Sequence, residues 1–144
     1  MTHERILIAT DDSEPAKKAI GEAITLADAF DATLYAVYVL ESAEPRPGVS
    51  DPQTTSDEDT KADQALQRVV AQAEERNLDG EVVSAVVRGQ PASAILQHAT
   101  EQNIDLIVVG THGREGIDRL VVGSVAERVI RDSPVPVVTI SIND

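Results

Sequence analysis

The sequence has no cysteine and no tryptophan, and it has only one phenylalanine and two tyrosines. A chain without cysteine has no disulfide, no cysteine nucleophile and no thiolate ligand for zinc or an iron–sulfur cluster. So few aromatic rings offer little surface on which nucleic-acid bases could stack. No apolar run approaches the roughly 18 residues of a membrane-spanning helix, and the chain does not open with a signal-peptide pattern. We therefore expect a cytoplasmic protein with neither membrane nor nucleic-acid partners.

Positive charge is also scarce. Twelve lysine and arginine residues stand against twenty-five aspartate and glutamate residues, which gives a net charge of −13, and only three of the twelve are lysine. Such a surface repels nucleic acids and anionic membranes at long range. It would also stay soluble in concentrated salt, where repulsion between carboxylates is screened. Halophilic and ordinary acidic proteins both have this composition, so both origins stay open.

Five strand patterns alternate with four helix patterns along the 144 residues. The strand patterns are short apolar runs rich in β-branched residues, and the helix patterns repeat apolar residues every three or four positions. This alternation predicts one α/β domain over residues 1–144, an open and Rossmann-like five-stranded parallel sheet with helices on both faces. The predicted strands are Ile6–Ala9, Thr33–Val39, Glu81–Val87, Ile104–Val109 and Val135–Ile142.

Residues 41–59 interrupt the alternation. They include three prolines and one glycine and show no apolar periodicity, which predicts a long mobile loop. Ser56 to Asp59 resemble a capping box, and the apolar stripe that begins at Ala62 predicts the second helix.

The two most uniformly apolar strands begin at Ile6 and Ile104, and strands buried on both faces lie at the centre of a parallel sheet. Placing them side by side gives the strand order 3-2-1-4-5, with the topological switch point between the first and fourth strands. Ligands of open α/β sheets bind there, outside the carboxyl ends of the strands. We therefore expect a binding site where Thr10–Ser13 faces Gly110–Ser124.

The segment 110–124 contains four of the eight glycines and joins a strand to a helix. Glycine permits positive φ and close approach of a ligand, and Gly123-Ser124 presents backbone N–H groups at a helix N-terminus. Residues 110–131 carry a net charge of +1, whereas the segments before and after them are negative. These features favour a phosphate-binding loop, with Arg114 as a candidate phosphate ligand. A connection whose glycines only turn corners is the alternative.

Several other motifs are missing. A Walker loop needs a lysine, but none follows Lys61. The dinucleotide-binding fingerprint needs glycines after the first strand, where this chain has Thr10-Asp11-Asp12-Ser13. No G-x-S-x-G nucleophile elbow occurs, and the three histidines do not have the spacing of metal ligands. We therefore expect no resident metal site.

The spacing Gly110-x2-Gly113-x9-Gly123-Ser124 resembles the ATP-binding signature of the universal stress protein family, in the subgroup that binds ATP. Residues 6–20 (ILIATDDSEPAKKAI), 108–130 (VVGTHGREGIDRLVVGSVAERVI) and 133–140 (SPVPVVTI) are similar to that family as well. The resemblance implies an adenine nucleotide alpha hydrolase-like fold that binds an adenine nucleotide, ATP before AMP or cyclic AMP, with Mg²⁺ able to bridge bound phosphates. It also implies a homodimer that pairs through the last strand, Val135–Ile142.

The resemblance assigns roles to particular residues. Asp11 would contact the ribose, although it could instead cap the first helix. The backbone of Val39 would contact adenine. The other implied contacts are Ala9 and Thr10 beside Asp11, Gly110 and Gly113 along the ribose and phosphates, and Gly123, Ser124, Val125 and Ala126 around the phosphate tail.

The chain departs from the family pattern at two positions. Ala9 stands where proline is frequent, which we expect to be harmless. Ala126 stands where threonine is frequent, and the missing hydroxyl is expected to weaken phosphate binding.

Three functions remain open at this point. The favoured one is a regulatory or stress-response module that depends on nucleotide binding. Slow ATP hydrolysis or phosphoryl transfer would need a group that positions the attacking atom, for which the site offers Asp11 and Glu115 without a lysine or an obvious nucleophile. We therefore assign no catalytic residue. The third function is that of a structural dimer which binds no nucleotide.

Overall fold

A computed structural model of the protein describes residues 4–11, 14–40, 52–111 and 123–141. The strands are β1 (Arg5–Ala9), β2 (Thr33–Leu40), β3 (Val82–Arg88), β4 (Leu106–Thr111) and β5 (Val137–Ser141). The helices are α1 (Glu14–Phe30), α2 (Pro52–Glu75), α3 (Pro91–Glu101) and α4 (Ser124–Asp132). The strands pair in parallel in the order β3-β2-β1-β4-β5. The predicted α/β class and strand order are confirmed.

Strand β1 lies between β2 and β4, with Ile6 opposite Leu34 on one side and Leu106 on the other. The side chains of Ile6, Leu7 and Ile8 are 0% exposed. An uninterrupted apolar run is required here because helices cover both faces of the sheet. The apolar run at Ile6 therefore predicted correctly which strand lies beside β4.

Two hydrophobic cores lie on the two faces of the sheet, because successive side chains of a strand point to opposite faces. Ile6 and Ile8 belong to the core beneath α1 and α2. Leu7 belongs to the core beneath α3 and α4, to which α4 contributes Ala126 and Val129. The start of α4 is therefore held against the sheet by buried side chains.

Helices α1, α2 and α3 end in the same way at the amino-terminal edge of the sheet. Each is followed by a residue in the left-handed region, namely Asp31 (φ 58°), Asn77 (φ 58°) and Asn103 (φ 57°). The next residue donates its N–H to a carbonyl oxygen five positions earlier, at 2.9 Å in all three cases. This Schellman arrangement reverses the chain from the helix toward the next strand. The donor and acceptor pairs are Ala32 to Ala27, Leu78 to Ala73, and Ile104 to Ala99.

A side-chain contact fastens β1 at the same edge. Oδ2 of Asp105 accepts hydrogen bonds from the backbone N–H groups of Glu4 (2.9 Å) and Arg5 (3.2 Å). Asp105 immediately precedes β4, so its carboxylate joins the amino ends of the two central strands.

The start of α2 differs from the prediction. The helix begins at Pro52, so residues 52–59 of the predicted loop are helical, and residues 41–51 lie outside the described residues. Proline suits a first helical position because its φ is preset and its missing N–H would have no intrahelical partner. The apolar stripe that predicts a helix begins only at Ala62, which is buried, whereas Asp59 and Thr60 are exposed. The mobility of the loop stays a prediction.

Two strands also begin at other residues than predicted, for identifiable reasons. β4 begins at Leu106 rather than Ile104, whose N–H is already used in the helix ending described above. β5 begins at Val137 rather than Val135 because Oγ of Ser133 donates to the Val135 carbonyl (2.7 Å) and accepts from its N–H (3.0 Å). Residue Ile142, the predicted end of the strand, lies outside the described residues.

Candidate functional site

A cleft of about 230 Å³ opens at the carboxyl ends of β1 and β4. This is the switch point of the sheet, because the chain continues to β2 on one side of β1 and β4 lies on the other side. Nine predicted binding residues line the cleft: Ala9, Thr10, Asp11, Val39, Gly110, Gly123, Ser124, Val125 and Ala126. The other two, Gly113 and Arg114, lie outside the described residues. What these residues bind stays a prediction.

The two central strands supply the floor of the cleft through their last residues. Thr10 continues β1 beyond its end, since its N–H donates to the carbonyl of Val37 at 3.0 Å. Its side chain is buried, as is that of Thr111 at the end of β4, so two threonines flank the switch point. Asp11 follows Thr10 and is exposed at the cleft. The floor can therefore offer hydroxyl groups and one carboxylate to a polar ligand.

One wall of the cleft is apolar. Val39 lies near the end of β2, opposite Val87 of β3, and Val109 comes from β4. Pro91 and Ile95 add the first two turns of α3 to this wall. Small and branched apolar groups of this kind can accept a flat, weakly polar ring without leaving buried polar atoms unpaired.

A second wall is the N-terminus of α4. Gly123 is the N-cap residue, with extended backbone (φ −51°, ψ 152°), and it provides no side-chain cap. Its carbonyl accepts the first helical hydrogen bond, from the N–H of Glu127 at 2.9 Å. The N–H groups before Glu127 therefore have no acceptor within the helix, and they lie at the positive end of its dipole. Such a helix end binds phosphate or another anion well.

Ala126 lies at the boundary between this wall and the core. Its side chain is 4% exposed, packs in the core with Val129 and also lines the cleft. A small residue at this position can pack in the core and still leave room for a ligand in the cleft. The weaker phosphate binding expected from the absent threonine hydroxyl stays a prediction.

Four residues of the cleft were not predicted from the sequence: Ala16, Pro91, Ile95 and Val109. Thr111 lies within the predicted segment Gly110–Ser124, although no particular contact was assigned to it. Val109 precedes the predicted Gly110, so the strand-end rule could have included it. Pro91 opens α3 at the carboxyl end of β3, and a helix that starts at the binding edge is a usable signal. Ala16 and Ile95 line the cleft only because of the way their helices pack, and the sequence carries no separate signal for that packing.

Both arginine residues of α4 form surface ion pairs. Arg128 Nε lies 3.7 Å from Asp132 Oδ2, and Arg131 Nε lies 3.6 Å from Oδ1 of the same carboxylate. Arg128 also reaches helix α3. Its Nη1 donates to Gln90 Oε1 at 3.1 Å and its Nη2 to Ser93 Oγ at 3.3 Å.

The described residues contain neither a cluster of metal ligands nor a membrane-spanning helix. Within residues 4–11, 14–40, 52–111 and 123–141, no three histidine, aspartate or glutamate side chains are grouped as metal ligands would be. In the same part of the chain, no helix combines the length and the apolar character that crossing a membrane requires.

The fold and cleft define an open parallel α/β protein with a ligand site at its switch point. The model of the universal stress protein family matches residues 2–141, and the chain belongs to this family. It is similar to universal stress protein MJ0531 of Methanocaldococcus jannaschii, with 35% identity covering 96% of this chain and 82% of that protein. The structure of universal stress protein UspA from Lactobacillus plantarum superposes with a TM-score of 0.82 at 28% identity, covering 97% of this chain and 99% of that one.

More distant structures of the same fold contain adenine nucleotides. The universal stress protein of Archaeoglobus fulgidus was solved in complex with dAMP, and it matches with a TM-score of 0.70 at 24% identity over 97% of this chain and 99% of that one. Two others, at 22% and 20% identity and TM-scores of 0.73 and 0.68, hold cAMP and AMP. At these identities the likeness shows the shared fold alone. Membership of the family is confirmed, and the ATP-binding subgroup stays a prediction.

Proposed function

We propose that this protein binds an adenine nucleotide, ATP in particular, in the cleft between β1 and β4, and acts as a nucleotide-dependent regulatory module in the stress response. The observation that carries the proposal is that an apolar wall and the N-terminus of α4, which has no side-chain cap, line the same cleft. An adenine nucleotide has matching chemistry, because it carries a flat, weakly polar ring at one end and anionic phosphates at the other. The adenine nucleotides held by distant relatives of the same fold support the choice of base.

The cleft suggests an orientation for the ligand. Adenine would lie against the wall that contains Val39 and Ile95, and the phosphates would accept hydrogen bonds from the first N–H groups of α4. Asp11, at the floor between the two walls, would accept from the ribose hydroxyls. Gly113 and Arg114 are expected to complete the phosphate site. A Mg²⁺ ion would be held by the phosphates together with water.

We also propose that the protein works as a cytoplasmic homodimer paired through its last strand. β5 is the outermost strand on the β4 side of the sheet. Val137, Val138 and Ile140 are only partly buried within one chain, and an outer strand presents backbone groups that a second copy can pair with. Light scattering of the purified protein tests this directly, because a mass of one chain would contradict it.

Binding rather than catalysis is favoured by the composition of the cleft. The described lining includes one carboxylate, Asp11, and neither lysine nor histidine. Phosphoryl transfer needs a group that positions the attacking atom and cations that stabilise the charge of the transition state. Turnover of labelled ATP that disappears in Asp11→Asn, while nucleotide binding persists, would favour the alternative of a slow ATPase or phosphotransferase.

The decisive experiment is mass spectrometry of ligand released from the purified protein, followed by calorimetric titration with ATP, AMP and cyclic AMP. We expect release of an adenine nucleotide, or saturable heat with at least one of the three. Absence of both results would indicate the remaining alternative, a member of the family that acts as a structural dimer.

A further inference from the structure

Arg128 connects two helices that are distant in the sequence. Its Nη1 and Nη2 atoms donate to Gln90 Oε1 (3.1 Å) and Ser93 Oγ (3.3 Å), which lie at the start of α3. The Nε atom is directed toward Asp132 on its own helix, at 3.7 Å. The guanidinium group therefore has an oxygen partner at each of its three nitrogens, although its side chain is 41% exposed.

The acceptor Gln90 already has a structural function. It is the N-cap residue of α3, and its Oε1 also accepts from the N–H of Ser93 at 3.1 Å. One oxygen atom therefore caps α3 and binds α4 at the same time. A displacement of the Arg128 side chain would therefore disturb the first turn of α3 directly.

The two connected helix ends both line the cleft. The first turns of α3 contribute Pro91 and Ile95, and the first turn of α4 contributes Ser124, Val125 and Ala126. The two helices also pack against each other, and their buried side chains, such as Ile95 and Val129, share one core with the sheet. The contact between Arg128 and Gln90 adds a polar link between the helix ends that line the cleft.

We propose that Arg128 is a positioning residue of the cleft, which fixes the spacing of the α3 and α4 walls without touching the ligand. This inference rests on the proposed function, because it assigns a consequence for nucleotide binding. A cleft whose walls are already correctly spaced loses less conformational freedom when the ligand enters. Loss of the contact should therefore weaken every ligand that fills the cleft, whether or not it carries phosphate.

The chain supplies a matched control. Arg131 lies on the same helix and pairs with the same carboxylate of Asp132, at 3.6 Å, but with a side chain that is 62% exposed. Arg131→Met and Arg128→Met remove the same charge and retain a similar apolar stem. Arg128→Lys keeps the charge but replaces the planar fork with one ammonium group, which is less suited to holding Gln90 and Ser93 together.

The first measurement is the affinity for adenosine, AMP and ATP in each variant. We expect Arg128→Met to weaken all three by a similar factor of about five or more, and Arg128→Lys to recover only part of that loss. Arg131→Met should stay within about twofold of the unmodified protein, as is usual for an exposed ion pair. Unchanged affinities in Arg128→Met, or a loss that grows with the number of phosphates and vanishes for adenosine, would overturn the positioning function.

The second measurement needs no ligand. Hydrogen exchange of the Ser93 and Ala94 amides and of the α4 amides after Ala126 should accelerate by about fivefold or more in Arg128→Met relative to Arg131→Met. If no nucleoside or nucleotide binds the unmodified protein, the proposed function fails, and the exchange rates still decide whether Arg128 holds the walls. Equal exchange in the two variants would overturn the inference even if nucleotides bind.

Discussion

A β-carbon on Gly80 would lie 2.6 Å from the carbonyl oxygen of Ala32. The obstacle is backbone, so it cannot turn aside as a flexible side chain would. The amino ends of β2 and β3 meet at this point, where the N–H of Leu34 donates to the carbonyl of Glu81 at 2.9 Å. We predict that Gly80→Ala lowers the free energy of unfolding by roughly 1–3 kcal/mol, the usual range for overpacking. Urea denaturation measures the change.

Gly21 is the control for this prediction, because it lies inside helix α1 and a β-carbon there meets only the side chain of Arg76, 3.2 Å from Nη2. That guanidinium donates through Nη1 to the Gly21 carbonyl (3.2 Å) and to Thr25 Oγ1 (3.3 Å), and it can move by a few tenths of an ångström. Alanine is favoured over glycine in a helix by about 0.5–1 kcal/mol. Gly21→Ala should therefore be neutral or stabilising. If Gly21→Ala lowers the free energy of unfolding as much as Gly80→Ala does, the backbone contact at Gly80 is not the cause of the loss.

Asn77 tests the helix endings. With φ at 58°, an alanine at this position should lower the free energy of unfolding by about 1 kcal/mol, whereas glycine should stay within about 0.5 kcal/mol of the asparagine. Thermal unfolding of the three proteins side by side gives the order. An alanine variant as stable as the glycine variant would show that the left-handed conformation is not populated in solution.

Ser124 tests the anion site at α4. It is the first residue of the helix, where proline is well tolerated, and Gly123 before it has the extended backbone that proline requires. Ser124→Pro therefore removes one N–H from the cleft without ending the helix. We expect affinity for ATP and AMP to fall by roughly tenfold, the effect of losing one hydrogen bond to a charged group, while adenosine binding changes little.

Ser124→Ala is the matched variant, since it removes the hydroxyl and keeps the N–H. A small effect of alanine beside a large effect of proline assigns the contact to the backbone. If Ser124→Ala and Ser124→Pro lose the same affinity for ATP and AMP, the contact is assigned to the hydroxyl. If Ser124→Pro loses as much affinity for adenosine as for ATP, the proline disturbs the wall itself. Circular dichroism spectra of both variants verify that α4 persists.

Substitution of Asp105 tests the hydrogen bonds that fasten the amino end of β1. Asp105→Ala leaves the N–H groups of Glu4 and Arg5 without their side-chain acceptor, and we predict a loss of about 1–3 kcal/mol in the free energy of unfolding. Asp105→Asn retains one acceptor oxygen and should lose less. Nucleotide affinity should not change in either variant, because this carboxylate lies at the end of the strands opposite the cleft.

The sheet could be predicted from the sequence because burial on both faces leaves a plain signal. The runs at Ile6 and Ile104 identify the central strands, and the order of the others follows from short right-handed connections. The start of α2 could not be predicted in the same way. Its first turns extend beyond the apolar stripe, so nothing in their hydrophobic pattern distinguishes a helix from a loop.

The candidate site was predictable where it depends on strand ends and was not predictable where it depends on helix packing. Thr10, Asp11 and Gly110 follow from the switch-point rule. Ile95 and the contact between Arg128 and Gln90 depend on how closely α3 and α4 approach, a distance that no local pattern encodes. Arg128 in isolation has the sequence context of an ordinary surface ion pair with Asp132 four residues later.

The three left-handed helix endings, together with Gly80 and Asp105, all lie on one rim of the sheet, and the cleft lies on the other. The five residues of β1 separate the two rims by roughly 16 Å. The rim residues that fasten the helix ends and strand starts are therefore separate from the residues that line the cleft. A laboratory selection can therefore vary the two rims independently.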